Sequence, residues 1–116
     1  MITKKVWGTT QPLVQKQNFE VHRIFIDAGG YCSKHHHEGK YNAFFVEYGD
    51  LKIHVWNEDS NTVDITELKD GEQTAVAPKK LHMFEAVVPT VAYEIYWTEI
   101  GEDIVRQTFG GIKNIP

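Results

Sequence analysis

Histidine is the residue type that most directly indicates chemistry in this sequence. There are six histidines, and His35, His36 and His37 are consecutive. Side chains two positions apart on a β-strand lie on the same face, so the rings of His35 and His37 are expected to point the same way. Neutral imidazole is the most common protein ligand for first-row transition metals. The spacing therefore predicts a pair of metal ligands that a third ligand, from elsewhere in the chain, would complete.

His82 is the best candidate for that third ligand. It begins a predicted strand just after a proline-containing turn, and Phe84 and Ala86 on its face are apolar. Met83 and Glu85 are expected to face outward. The alternative is that the histidine triplet is a solvated surface segment and that His82 is a core histidine with hydrogen-bond partners.

The elements that position these histidines are predicted to be β-strands. β-Branched and aromatic residues recur in short runs, and glycine, proline, aspartate and asparagine separate these runs every eight to twelve residues. The predicted strands are 19–27, 41–46, 51–56, 63–68, 73–77, 81–88 and 91–100. No segment keeps a 3.6-residue apolar period long enough to predict a helix. An all-β sandwich or a closed barrel follows.

Two glycine-containing turns are expected to shape this sheet. Gly29 and Gly30 follow the first predicted strand and permit backbone angles that other residues resist. Gly49 lies in a compact connection between the apolar runs 41–46 and 51–56. Such a connection is typical of a β-hairpin, so these two runs are predicted to pair with each other.

The overall composition limits the possible functions. The chain has 116 residues, of which 41% are hydrophobic and 24% charged, which fits one folded domain over 1–116 and excludes disorder. The net charge of -4 argues against nucleic acid as a partner. No long apolar run is present, so neither a signal peptide nor a membrane span is expected. The lone Cys32 cannot form an internal disulfide, which favours a cytoplasmic location.

Two stretches of the sequence resemble the signature motifs of the cupin superfamily. The first comprises Gly29, His35-His36-His37, Asn42 and Gly49, and the second comprises Gly71, Ala77-Pro78-Lys79 and His82. The resemblance implies a single small cupin barrel, which is a double-stranded β-helix or jelly roll. It also implies that His35, His37 and His82 bind a divalent transition metal, which could be Zn, Mn, Fe, Ni or Co.

Asn42 stands where cupins commonly have a glutamate as the fourth metal ligand. Its side chain is directed inward by the alternation of Asn42, Phe44 and Val46 along the predicted strand. An amide oxygen is a neutral and weaker donor than a carboxylate, so the site would hold its metal less tightly. Asn42 therefore remains a candidate fourth ligand, with water as the alternative.

A narrower resemblance lies near the C-terminus. The stretch Gly101-Glu102-Asp103-Ile104-Val105-Arg106 is similar to the one that closes the cupin domain of type II mannose-6-phosphate isomerases. The resemblance implies a sugar isomerase and makes Arg106 a candidate substrate contact. Lys34, beside the histidines, is a second candidate because it could attract an acidic ligand. The alternatives are a salt bridge of Arg106 with Glu102 or Asp103, and a solvated Lys34.

Three functions are consistent with the sequence. The first is a metal-dependent sugar isomerase whose metal polarises a carbonyl, although the sequence does not identify a catalytic base. The second is a three-histidine iron dioxygenase, and the third is a non-catalytic cupin that binds a carbohydrate or small acid. In each case the partner is a small molecule. A homodimer is expected, since a small barrel gains burial by pairing and an edge near Val6 and Trp7 or in 112–116 could extend a partner's sheet.

Overall fold

Nine β-strands account for the regular structure of this chain. The computed structural model describes residues 1–99, 107 and 110–113, and these residues contain no helix. The strands are β1 (Thr3–Lys5), β2 (Gly8–Lys16), β3 (Phe19–Ile26), β4 (Tyr41–Tyr48), β5 (Asp50–Asn57), β6 (Thr62–Lys69), β7 (Gln73–Val76), β8 (His82–Ala86) and β9 (Thr90–Trp97). The predicted all-β class is confirmed, although the sequence did not predict β1 and β2.

The strands form two antiparallel sheets. The larger sheet has the order β1-β2-β3-β9-β4-β7 and the smaller sheet the order β6-β5-β8. One hydrophobic core receives side chains from both sheets, among them Ile24 and Phe44 from the larger and Ile53 and Phe84 from the smaller. The two sheets therefore enclose a common interior.

Alternation along β8 confirms the predicted orientation of its side chains. His82, Phe84 and Ala86 are buried, whereas Met83 and Glu85 are half-buried. The ring of Phe84 contacts the ring of Phe44 across the interior, with 6.1 Å between the centroids. Burying one such side chain contributes about 1.5–3 kcal/mol to folding. This packing fixes β8 and, with it, the position of His82.

The predicted hairpin of segments 41–46 and 51–56 is wrong. β4 pairs with β7 and β9, whereas β5 pairs with β6 and β8, so the chain crosses from one sheet to the other at Gly49. Gly49 has a φ of 121°, and a Cβ there would lie 2.8 Å from the Cα of Thr90. A glycine-containing turn between two apolar runs is compatible with both geometries. The strand partners, which are distant in sequence, decide between them.

Four strands form the edges of the two sheets in the described part of the chain. β1 and β7 flank the larger sheet, and β6 and β8 flank the smaller one. Val6, in the turn after β1, and Ile112 are fully exposed. The homodimer, expected to form through an edge near Val6 and Trp7 or in 112–116, stays a prediction. None of the described residues belongs to a helix that could cross a membrane.

Candidate metal centre

A short backbone bridge joins the two stretches that carry the histidines. The amide of His35 donates to the carbonyl oxygen of His82 at 3.0 Å, and the amide of His82 donates to that of His35 at 2.8 Å. Apart from this bridge, residues 33–37 form no β-strand, so the expected regular strand is absent. The side chains nevertheless diverge as expected. His36 points outward, and its Nε2 lies 2.8 Å from Oε1 of Glu38. His35 and His37 face each other, with 5.0 Å between their ring centroids.

The structure brings His35, His37 and His82 together. Their nitrogen ligand atoms all lie within 4.8 Å of one another. The ring of His82 lies 4.6 Å from that of His35 and 5.6 Å from that of His37, measured between centroids. One ion could therefore contact all three imidazoles with small adjustments of the rings, since metal–nitrogen bonds are about 2.0–2.1 Å long.

Hydrogen bonds orient two of the rings. Nδ1 of His35 donates to the carbonyl oxygen of Ser33 at 2.7 Å, and Nδ1 of His82 donates to that of Lys80 at 2.8 Å. A carbonyl oxygen can only accept, so the proton is on Nδ1 and the lone pair of each neutral ring is on Nε2. Nε2 of His37 is buried and has no hydrogen-bond partner among the described residues. The donor set fits a transition-metal ion.

The electrostatics of the cluster favour the form of histidine that binds metal. Burial, with a smaller contribution from the neighbouring His35 and His82, lowers the pKa of His37 to about 4. Burial also lowers the pKa of His82, although its hydrogen bond to the carbonyl of Lys80 opposes this shift. Both rings are therefore neutral near pH 7, and only a neutral imidazole has a lone pair to donate to an ion.

Asn42 lies beside the cluster, buried on β4. Its Oδ1 is 3.2 Å from Nε2 of His82, and its Nδ2 donates to the carbonyl oxygen of Ala43 at 3.3 Å. With the proton of His82 on Nδ1, two lone-pair atoms face each other across this short distance. Adjacent ligands of one ion, each about 2.1 Å from it, are separated by about 3 Å. Asn42 thus fits the predicted fourth position.

A cavity that is partly open to solvent lies beside the histidine cluster. Its volume is about 270 Å³, and His35 forms part of its wall. The other lining residues include Trp7, Thr10, His22, Phe84, Glu94 and Tyr96. A cavity of this size accepts a small molecule and combines apolar walls with polar groups that can orient it.

Glu94 and Tyr96, which the sequence analysis did not identify, belong to this cavity. Glu94 on β9 is 9% exposed, and its burial raises its pKa. The hydroxyl of Tyr96 donates to Oε2 of Glu94, and its ring contacts the ring of His37 with centroids 5.1 Å apart. The sequence did contain a signal for Glu94. Ala92, Glu94 and Tyr96 alternate along the strand, which puts the carboxylate on the same face as a core alanine.

The structure separates Lys34 from the cavity beside the histidines. The ammonium nitrogen of Lys34 lies 4.2 Å from the ring centroid of Trp56, and Lys34 is not among the residues that line the cavity beside the histidines. Arg106 lies outside the described residues. Cys32 lies buried on the wall of this cavity, and burial raises the pKa of its thiol to about 11, which makes it a poor nucleophile.

Solved structures with the same arrangement of strands identify the fold. A cupin superfamily protein from Desulfitobacterium hafniense superposes with a TM-score of 0.69 and 12% identity, covering 84% of this chain and 83% of its own. This chain has the cupin fold. KdgF from a Halomonas species superposes on the same cupin barrel with a TM-score of 0.73 and 12% identity, covering 86% of this chain and 89% of KdgF.

A third similar cupin fold occurs in Bacillus subtilis oxalate decarboxylase, a protein with Mn(II) centres. Its TM-score is 0.74 at 12% identity, and the match covers 84% of this chain but 27% of the decarboxylase. No protein-family model matches the sequence, and no curated protein matches it. The similarity therefore establishes the fold, and the histidine cluster within this cupin barrel indicates metal binding.

Proposed function

We propose that this cupin is a metal-dependent isomerase of a small hydroxy-carbonyl compound, such as a sugar. The observation that carries the proposal is the convergence of three imidazoles beside a small cavity, whose wall includes one of them, His35, and a buried carboxylate. His35, His37 and His82 would hold a divalent transition metal, with the carbonyl oxygen of Asn42 as a fourth ligand. Once bound, the ion supplies a Lewis acid that polarises a substrate carbonyl.

The other cavity residues suit a small, oxygen-rich substrate. Pockets that enclose drug-sized ligands measure about 300–1,000 Å³, so a cavity of about 270 Å³ matches a smaller molecule such as a monosaccharide. Thr10 and His22 can form hydrogen bonds with hydroxyl groups, while Trp7 and Phe84 present apolar surface and limit access by water. This combination supports a sugar or a small acid as the ligand.

The first test of the proposal is metal content. We expect untagged protein, loaded with Mn²⁺ and desalted, to retain about one ion per chain by elemental analysis. Mn²⁺ is the first choice because the similar oxalate decarboxylase has Mn(II) centres. His82→Ala should abolish retention, whereas His36→Ala should not, since His36 is exposed and turned toward Glu38. Retention of the ion by His82→Ala would contradict the proposed site.

The second test is turnover. Metal-loaded protein is incubated with D-mannose, D-glucose, D-fructose and their 6-phosphates, and interconversion is followed by NMR. Isomerisation that needs the metal supports the proposal. Oxygen consumption by the Fe²⁺-loaded protein, without isomerisation, would instead favour the dioxygenase. Saturable sugar binding without either reaction would favour a binding protein.

A further inference from the structure

Glu94 is an unusual buried carboxylate in this structure. The described residues contain two buried acidic side chains, and the other, Asp50, accepts a hydrogen bond from the ammonium of Lys69 at 3.0 Å. Glu94 has no ion pair of 4.0 Å or less with a described basic residue, and its hydrogen-bond donor is the neutral hydroxyl of Tyr96. Burying a carboxylate without a cation costs free energy, so such groups occur mainly where function requires them.

The position of Glu94 places this carboxylate in the candidate active site. It lines the same cavity as His35, with Trp7 and Phe84 on the cavity wall. Its neighbour across the sheet is Phe44 of β4, two residues from Asn42 on the inner face. A molecule that fills the cavity would therefore contact the histidine cluster on one side and Glu94 on another.

We propose that Glu94 is the catalytic residue that removes and returns a carbon-bound proton of the substrate, and this inference rests on the proposed isomerase function. The bond between hydrogen and the carbon next to the carbonyl breaks, and the proton goes to a carboxylate oxygen of Glu94. The electron pair of that bond forms a carbon–carbon double bond, while the carbonyl π electrons move to oxygen. Glu94 then returns the proton to the former carbonyl carbon, and a proton passes from the neighbouring hydroxyl to the former carbonyl oxygen. No oxidant or reductant is needed.

Tyr96 acts on this step as a positioning residue. Its hydroxyl donates to Oε2 of Glu94 while its ring rests against His37, so one side chain links the carboxylate to the histidine cluster. The bond occupies Oε2 and leaves Oε1 without a hydrogen-bond partner among the described residues. A base held in this way meets the requirement that it be fixed within hydrogen-bonding reach of the proton it takes.

The test measures isomerisation and deuterium incorporation in D₂O by NMR, with mannose 6-phosphate, fructose 6-phosphate, mannose and fructose as probes. Glu94→Gln keeps the shape of the side chain and an oxygen that can accept from Tyr96, but it removes the base. We expect at least a 100-fold loss of both rates with unchanged Mn²⁺ content, since general base catalysis contributes about 10²–10⁴-fold. Glu47→Gln, an exposed carboxylate on the outer face of β4, is the matched control and should retain the wild-type rates.

Each outcome distinguishes the role of Glu94 from the isomerase function. Rates of Glu94→Gln within threefold of wild type would overturn the role of Glu94 and leave the isomerase standing. Absence of reaction by the wild-type protein with every probe would overturn both. Metal-independent turnover that still requires Glu94 would support Glu94 and overturn the metal-dependent function.

Two further variants keep the inference falsifiable if Glu94→Gln does not fold. Glu94→Asp retains the charge but withdraws the carboxylate by one methylene, and a loss of about tenfold or more is expected; unchanged rates would contradict the role. Tyr96→Phe keeps the ring on His37 and removes only the hydroxyl. A positioning role predicts a fall of about tenfold in kcat at unchanged KM, whereas an unchanged kcat would overturn it.

Discussion

Replacing His37 by leucine should have opposite effects on stability with and without metal. Nε2 of His37 is buried without a hydrogen-bond partner among the described residues, and an unsatisfied buried polar atom costs about 1–3 kcal/mol. Leucine has similar bulk and no polar atom, so metal-free His37→Leu should unfold with a free energy at least about 1 kcal/mol higher than that of metal-free wild type.

Metal should reverse this order. An ion at one hundred times its dissociation constant stabilises the folded state by about 2.7 kcal/mol, and this gain requires the complete set of ligands. For a chain of this size the gain corresponds to a rise in melting temperature of about 10 °C. Wild type should therefore be more stable than His37→Leu by up to about 1.7 kcal/mol when metal is present, although it is less stable without metal.

The stability of the metal-free and the metal-bound protein is measured by thermal and urea unfolding, in chelator and in excess Mn²⁺ respectively. Unfolding is followed by circular dichroism. His36→Leu is the matched control because His36 is exposed and pairs with Glu38, outside the cluster. It should retain the full metal response. If metal raises the melting temperature of His37→Leu as much as that of wild type, His37 is not a metal ligand. The interpretation of its buried nitrogen as a ligand atom would then be refuted.

Three further predictions concern other parts of the structure. Gly49→Ala should destabilise the protein by about 3 kcal/mol in urea unfolding, because its Cβ would overlap the backbone of Thr90, whereas Gly71→Ala, with open space around it, should cost about 1 kcal/mol. Cys32 should react with a thiol reagent at pH 8 at least 100-fold more slowly in the folded protein than in urea, because its pKa is about 11 and it is buried. Asn42→Asp should tighten Mn²⁺ binding at least tenfold in a chelator competition, since a carboxylate is the stronger donor; unchanged affinity would exclude residue 42 as a ligand.

The sequence predicted the strand class and the three histidines because both depend on local patterns. The period of two along β8 fixes which side chains enter the core, and the spacing of His35 and His37 survives even though residues 33–37 are not a regular strand. Prediction from the sequence failed where strand pairing depends on residues that are distant along the chain. The crossing at Gly49 and the pairing of β4 with β9 depend on residues more than 40 positions away.

Two other features escaped prediction for different physical reasons. β2 contains polar residues, Pro12 and an irregular register between Pro12 and Val14, so its sequence lacks the apolar alternation of a half-buried strand. Glu94 escaped because a carboxylate within an apolar run is ordinarily assigned to the exposed face. Its burial becomes evident only when its strand pairs between β3 and β4.

The neutral amide of Asn42, at a position where cupins commonly have a glutamate, changes the charge balance of the site, and Glu94 bears on that balance. Three neutral imidazoles and a neutral amide would leave the two positive charges of a divalent ion uncompensated by its own ligands. In an interior of low dielectric, such a charge attracts the nearest carboxylate far more strongly than it would in water. Glu94 is a buried carboxylate in the adjoining cavity without an ion-pair partner among the described residues. A carboxylate placed in the cavity, and not in the ligand set, would stabilise a bound ion at a distance and would remain available to take a proton from a substrate. The loss of an acidic ligand at position 42 is therefore compatible with metal-dependent chemistry, provided that Glu94 carries the charge.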